Sequence, residues 1–420
     1  MRIFILQTSG GFNGEGRAGG GVIHCLALAR LWQDSGNEVF FITNTADFGN
    51  YHEMGLRNVF RVSSSGFTTK RGVNTYAIEI IMNYFTQKSQ LDRIITDIIA
   101  RPEVVLNDDS TEASESVVVT TTQWPSDVLA ALRFNRKFRL PAVLYMHNYF
   151  RHPLWHPLKR GSFLANFNLW IIGRFSLVIA KLRNMLPSLS RPREALESGW
   201  RFKNGIMPDD SFLVTGYPNI TDSMNLQSDR TFDICFVGTV SKQRGVIDLI
   251  KAVKKVIAQK PSLSVIIAGG SSDEFRERLT KLVNKFDLSD NVNITGWIPQ
   301  NEKMQLLQKC KLFVFPSYID SWSLAVMEAV EFGVLPITYD LPAFDYLGQY
   351  AVKVPPGNIN ALAHTINEML NMPEMRSQIV IKLREEISKY APERVAEEQL
   401  SQIRQFAKSG KIISLKHFKG

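Results

Sequence analysis

Between Asp233 and Lys309 the chain alternates between short apolar runs and longer segments whose apolar residues recur at helical spacing. Asp233–Gly238 reads as a strand, Thr239–Gly245 as a loop, and Val246–Ala258 as a helix with Leu249, Ile250, Val253 and Ile257 on one face. Leu263–Ala268 is the next strand, ending in Gly269-Gly270, and a helix follows over Glu274–Phe286. Val292–Thr295 is a further strand, closed by Gly296-Trp297-Ile298-Pro299 and followed by a helix to Lys309. This rhythm leaves few options. Parallel strands need helical crossovers, so the strands must line up in a doubly wound sheet with helices on both faces. Such sheets bind ligands outside the carboxyl ends of their strands, and the glycines stand at those ends.

The rhythm continues through Leu312–Tyr339. Leu312–Phe315 has strand character and Pro316-Ser317 stops it. Leu324–Phe332 carries Leu324, Met327 and Val330 at helical spacing, Gly333 caps it, and Val334–Tyr339 is the following buried strand. Asp320 therefore sits in the loop before the helix, and Glu328 about one turn inside it. Backbone N–H groups at Ser323, Leu324 and Ala325 make a positive helix N-terminus between the two carboxylates. Two readings fit: an ordinary β-α-β unit with a surface Asp and Glu, or a site that holds a phosphate with hydroxyl groups on either side. In the earlier loop, Lys242 and Arg244 follow a strand end, a natural place for cations facing a pyrophosphate. A solvated loop is the alternative there.

The first half opens in the same way. Met1–Gln7 is a strand, Ser9–Gly21 a glycine-rich turn, Val22–Ser35 an amphipathic helix and Glu38–Thr43 a second strand. Contiguous glycines let a backbone approach a phosphate closely. The spacing is not G-x-G-x-x-G, and no acidic residue closes the second strand, which argues against a dinucleotide site. Further strands are expected at Ser116–Thr120, Ala142–His147, Ser176–Ala180 and Ser211–Thr215. His147, at a strand end, would face the ligand crevice. The doublets Asp108-Asp109 and Asp209-Asp210 lie in turn contexts beside Asn or Pro and are not read as metal ligands.

Pro316-Ser317, Leu324, Glu328-Ala329, Gly333 and Ile337 together resemble the E-x7-E region of retaining nucleotide-sugar glycosyltransferases of family 4. Those enzymes have the GT-B fold, two Rossmann-like doubly wound parallel-sheet domains facing across a cleft. Asp320 stands where the first Glu is usual, Ser321 and Ser323 replace glycines, and Pro336 comes one residue late. Other segments resemble the family in the expected order. The opening around Gly20-Gly21 is similar to GG-x-x-x-hydrophobic-x-LA-x-x-L, and Gly216–Ile220 to a PNG-type closing segment. Gly238–Gly245 resembles GR-x-x-x-x-KG, with Arg244 at the Lys position and Thr239 where Arg is usual. Gly296–Pro299 is similar to G-[FW]-[VI]-P, and Pro355-Pro356-Gly357 to a PPG turn.

The resemblance implies a set of roles. Glu328 would grip the ribose hydroxyls of a nucleotide-diphosphate sugar and Asp320 the hydroxyls of its sugar, with His147 nearby. Arg244, Lys242 and the helix start at Ser323, Leu324 and Ala325 would stabilise the departing diphosphate. Gly20, Gly21, Gly238, Thr239 and Gly269 would line the donor site, and Trp297 with Ile298 would meet the base. No metal and no other cofactor is implied, and the acceptor would be a glycan or a lipid-linked sugar. The implied layout is 1–225 on the acceptor side, 226–390 for nucleotide-sugar binding, and 391–420 as a helix returning to the first domain plus a basic tail. Two other functions stay open: a sugar-nucleotide epimerase or phosphorylase on the same scaffold, and a non-catalytic binding protein.

Composition bounds the rest. A chain of 420 residues suits two cores, and 45% apolar with 21% charged residues is ordinary for a globular protein. Cys25, Cys235 and Cys310 are far apart with no C-x-x-C, which argues against a disulfide framework and fits a reduced cytoplasm. MRIFILQ is too short for a signal peptide, and Phe163–Leu182 is broken by Asn166, Asn168, Arg174 and Lys181, so no membrane span is expected. The net charge of +9 is concentrated: from Val128 to Pro208 the only carboxylates are Glu194 and Glu197. That window is either a solvated basic face over core aromatics or a surface for peripheral contact with anionic lipid head groups or an anionic acceptor. It carries no recognised nucleic-acid module.

Overall fold

A computed structural model of the chain describes residues 1–7, 12–13, 17–18, 20–43, 51, 55–62, 73–99, 116–121, 125–146, 175, 178–179, 182–183, 185–189, 230–320 and 323–409. These fall in two compact units, Met1–Gly216 with Pro392–Gly420, and Tyr217–Ala391. The boundary expected near residue 226 and the segment Gly216–Ile220 lie outside the described residues.

In the first unit the chain runs through β1 (Arg2–Gln7), α1 (Gly20–Asp34), β2 (Glu38–Thr43), β3 (Asn58–Arg61), α2 (Val73–Ile99), β4 (Ser116–Thr120), α3 (Pro125–Phe138), β5 (Ala142–Met146) and β6 (Leu186–Leu189). The six strands form one parallel sheet in the order β3-β2-β1-β4-β5-β6. Every residue of β1 is buried, as a central strand covered on both faces requires. Phe4, Leu6, Phe40, Ile42, Val118 and Phe134 fill one face, with the rings of Phe4 and Phe40 stacked at 5.2 Å.

The second unit contains β7 (Phe232–Val237), α4 (Val246–Val256), β8 (Val265–Ala268), α5 (Asp273–Lys285), β9 (Val292–Gly296), α6 (Gln300–Gln308), β10 (Cys310–Phe315), α7 (Leu324–Glu331), β11 (Leu335–Tyr339), β12 (Val352–Val354), α8 (Ile359–Asn371) and α9 (Pro373–Ile387). Its sheet is again parallel, in the order β9-β8-β7-β10-β11-β12. In both sheets the order reverses beside the first strand, between β1 and β4 and between β7 and β10. Each reversal is a topological switch point, where neighbouring loops diverge to opposite faces and leave a crevice. The last helix, α10 (Pro392–Ser409), belongs to the first unit. Trp32 Nε1 donates to Ala396 O at 2.9 Å, Arg404 Nη2 donates to Asn37 Oδ1 at 3.1 Å, and the Tyr145 hydroxyl bonds Gln399 Oε1.

Several local expectations need correction. Gly20 and Gly21 are the first residues of α1, not part of the preceding turn. Val178 and Ile179 are helical where a strand was expected over Ser176–Ala180, and the strand that pairs with β5 is Leu186–Leu189. A short apolar run has no period that separates strand from helix, and here Phe175, Val178 and Leu182 are exposed at spacings of three and four while Ile179 packs on the core. The loop after β7 contains a 3-10 turn, Lys242–Arg244. After β11 the chain forms a 3-10 segment, Pro342–Tyr350, with proline at its start.

Candidate active site

The second unit's strand ends are tied together by backbone hydrogen bonds between loops. Gly238 N donates to Ala268 O at 3.1 Å, Gly269 N to Gly296 O at 2.6 Å, and Val240 N to Gly270 O at 2.9 Å. Two of these glycines are required by sterics. Gly269 has φ 146°, and a Cβ there would lie 1.7 Å from Gly238 O. Gly245, at φ 71°, would place a Cβ 1.8 Å from Pro316 O. Only a residue without a side chain lets the Lys242–Arg244 turn press against the loop that leaves β10, and Tyr318 N then donates to Gln243 O at 2.9 Å.

That close approach decides where Arg244 goes. Its Nη1 donates to Asp320 Oδ2 at 2.5 Å, to Ile319 O at 2.8 Å and to Ser317 Oγ at 3.3 Å, with the guanidinium 5.7 Å from the centre of the Phe315 ring. The Asp320 side chain is only 6% exposed, whereas Arg244 keeps 32%. Asp320 is thus the more covered partner and Arg244 the more open one. Ser323 caps α7, its Oγ accepting from Val326 N at 3.4 Å, and the Tyr346 hydroxyl donates to Ser323 O at 3.2 Å. The N–H groups of Leu324 and Ala325, the first two positions of α7, have no intrahelical acceptor by geometry, and both residues are half-buried at the sheet's carboxyl edge. Glu328, one turn on, is 2% exposed. Lys303 of α6 bridges both its oxygens, with Nζ at 3.2 Å from Oε1 and 3.0 Å from Oε2. Burial pushes the Glu328 carboxyl above the usual carboxylate range, and the Lys303 ammonium pulls it partly back.

Residues 221–394 match the sequence model of a family described as "Glycosyl transferases group 1". The second unit's sequence is thus similar to group 1 glycosyl transferases. GDP-mannose:cellobiosyl-diphosphopolyprenol alpha-mannosyltransferase of Xanthomonas campestris is 28% identical to the chain over 109 residues, 26% of this chain and 29% of that protein. Alpha-D-kanosaminyltransferase of Streptomyces kanamyceticus is 24% identical over 149 residues, 35% of this chain and 38% of that protein. The chain thus spans well under half the length of these curated relatives. Solved structures align nearly end to end. Sucrose-phosphate synthase from Thermosynechococcus elongatus gives a TM-score of 0.67 at 18% identity, covering 97% of this chain and 99% of that one. Anabaena HepE, solved with UDP and glucose, gives 0.66 at 13% identity over 96% and 99%. At such identities the likeness shows the fold, and the fold is GT-B.

In the second unit, the structure places Gly238, Thr239, Lys242, Arg244, Gly269, Trp297, Ile298, Asp320, Ser323, Leu324 and Ala325 along the carboxyl edge of one sheet. Thr239 and Lys242 are exposed, and Trp297 is 42% exposed. Glu328 is not the surface residue that an ordinary β-α-β unit would carry. Gly20 and Gly21 open α1 in the first unit, and His147 lies outside the described residues. Sequence reasoning missed Lys303 and Tyr346. For Lys303 a signal existed: it is the one cation in α6, three and four residues before the buried Leu306 and Leu307. A lysine on an apolar face marks a buried partner.

Proposed function

We propose that the chain is a retaining glycosyltransferase that moves a sugar from a nucleotide-diphosphate sugar to a glycan or lipid-linked acceptor. The observation that carries this reading is the juxtaposition at the β7–β10 switch point: Arg244, bonded to the Asp320 loop, beside the N-terminus of α7 with Glu328 behind it. A guanidinium and a helix N-terminus are suited to the negative charge that grows on a departing diphosphate. Glu328 accepts from the ribose, and Asp320 from sugar hydroxyls near the reacting carbon. The guanidinium and the helix N-terminus together take the part that a divalent ion plays elsewhere, so turnover is expected to persist in EDTA. A leaving-phosphate oxygen takes the acceptor's proton on the same face of the sugar, which keeps the anomeric configuration.

The first test is thermal stabilisation by UDP-glucose, GDP-mannose and related donors. A donor present at 100 times its Kd adds about 2.7 kcal/mol to the native state. The stabilising donor is then offered with acceptors, and the product's anomeric configuration is read by NMR. Arg244→Met is expected to lower kcat about 100- to 1,000-fold, measured as release of the nucleoside diphosphate, with a smaller change in KM. Unchanged kcat would remove Arg244 from the chemistry. A binding-only role is favoured by one observation: Asp320 already neutralises Arg244, and Thr239 supplies no second cation. Donor binding without even slow donor hydrolysis would establish that role.

The chain acts in the cytoplasm, at the inner face of a membrane. Supporting this are Phe175, Val178 and Leu182, exposed at helical spacing beside Arg183 in the first unit, and Leu182 is 74% exposed. No described helix is long and apolar enough to cross a bilayer. Co-sedimentation with phosphatidylserine vesicles should exceed that with neutral vesicles and fall with salt. Equal sedimentation with both would argue against the contact.

A further inference from the structure

A ribose-binding carboxylate has to offer acceptor oxygens, and Glu328 sits where ionisation is disfavoured. Its side chain is 2% exposed on α7, which packs against β10, β11 and α9. A protonated carboxyl turns one of its oxygens into a donor and can no longer accept from two neighbouring hydroxyls through both. Most charges on the surrounding elements are engaged with other groups. Lys311 of β10 pairs with Asp233 at 2.7 Å, the Tyr339 hydroxyl of β11 bonds Asp248 at 2.9 Å, and Arg376 of α9 donates to Met369 O at 3.0 Å. Lys382, Glu385 and Glu386 of α9 form ion pairs within that helix and the turn after it. Among the described residues, the charge that acts on Glu328 is Lys303.

We infer that Lys303 is a positioning residue for donor binding: its ammonium, bridging both oxygens of the buried Glu328 carboxylate, holds that group ionised and aimed at a pair of vicinal hydroxyls. The inference rests on the donor reading proposed above. It also explains why the lysine comes from α6. That helix begins directly after the Gly296–Pro299 turn, and Lys303 N donates to Pro299 O at 3.0 Å. The strand-end turn expected to meet the base and the cation that orders the ribose carboxylate therefore share one rigid segment. A change at Trp297 or Ile298 would be felt at Glu328 through the first turn of α6.

The test uses the chain in five forms: wild type, Lys303→Met, Lys303→Arg, Glu328→Gln and the double variant Lys303→Met/Glu328→Gln. Methionine keeps the length of the stem and removes the charge. A carboxyl whose pKa is raised on folding holds its proton longer than the unfolded chain does, so stability is lost as pH rises through that interval. Removing Lys303 widens the interval. The melting temperature of Lys303→Met should therefore fall relative to the double variant between pH 5 and pH 8, more than wild type falls relative to Glu328→Gln. This readout needs no ligand. With UDP-glucose or GDP-mannose as the probe, Lys303→Met should bind at least about tenfold more weakly than wild type at pH 7 and recover as pH rises, a tenfold loss corresponding to one pKa unit. Lys303→Arg should restore both the affinity and the pH profile of the wild type, while kcat at saturating donor changes little in either Lys303 variant. A melting difference that does not vary with pH, or a donor affinity equal in wild type and Lys303→Met, overturns the inference. If Glu328→Gln binds these donors as tightly as wild type, it is the donor reading that fails, and the pH dependence of melting still judges the Lys303–Glu328 coupling.

Discussion

Glu328→Ala should lower the stability of the second unit by roughly 3 kcal/mol, because it removes the carboxylate that the Lys303 ammonium, 14% exposed, bridges. For a unit of this size that corresponds to a fall in Tm of roughly 6–12 °C, measurable by calorimetry. The functional effect should be larger. Each hydroxyl that donates to an ionised carboxylate contributes about 1.5–3 kcal/mol, so losing two ribose contacts weakens donor binding by about two to four orders of magnitude. UDP-glucose or GDP-mannose should then give no thermal stabilisation at concentrations that saturate the wild type. Glu328→Gln keeps the shape of the side chain, so it separates the two effects. It should retain more of the stability and still lose the donor. Full turnover of an activated sugar by Glu328→Ala would dismiss the ribose role.

A second large effect is expected at Gly245, for a different reason. The obstacle to a Cβ there is a backbone carbonyl, Pro316 O at 1.8 Å, which has no rotamer to change. At φ 71° an L side chain also carries left-handed strain. Gly245→Ala should either separate the Lys242–Arg244 turn from the Pro316–Asp320 loop or lose roughly 3–5 kcal/mol of stability. Hydrogen exchange should report it as faster exchange at Tyr318 N, whose acceptor is Gln243 O, and the bond from Arg244 to Asp320 should lengthen or break. Gly36→Ala is the matched control. It has a similar φ of 83° with nothing within 4 Å of a Cβ, so it should cost only about 1–2 kcal/mol. Equal effects at the two glycines would show that conformation alone, not the neighbouring carbonyl, makes Gly245 necessary.

Much of the second unit was legible in its sequence, because each element announced itself with a local pattern. Val246–Val256 puts its apolar residues on one helical face, and Gly238, Gly269 and Gly296 mark strand ends through conformations open chiefly to glycine. Ser323 and Gly333 bracket α7 by capping chemistry. What was not legible were partnerships between elements. Arg244 and Asp320 were each expected to face a ligand, and nothing local reveals that they also face each other across 76 residues. Lys303 and Glu328 lie on separate helices, and which surfaces pack is settled by the sheet between them. In the first unit, the helix at Val178 and Ile179 was mistaken for a strand because a brief apolar run fits a buried element of either kind.

The helix α10 bears on how the molecule is made. The indole of Trp32 and the hydroxyl of Tyr145 find their acceptors on residues 396 and 399, which a ribosome adds only after the whole of the second unit has been translated. The nascent first unit must wait with part of its interior uncovered while its neighbour, contiguous from Tyr217 to Ala391, can close on its own. Emergence of residues 392–409, rather than emergence of residue 216, is then the moment at which the amino-terminal half reaches its final form.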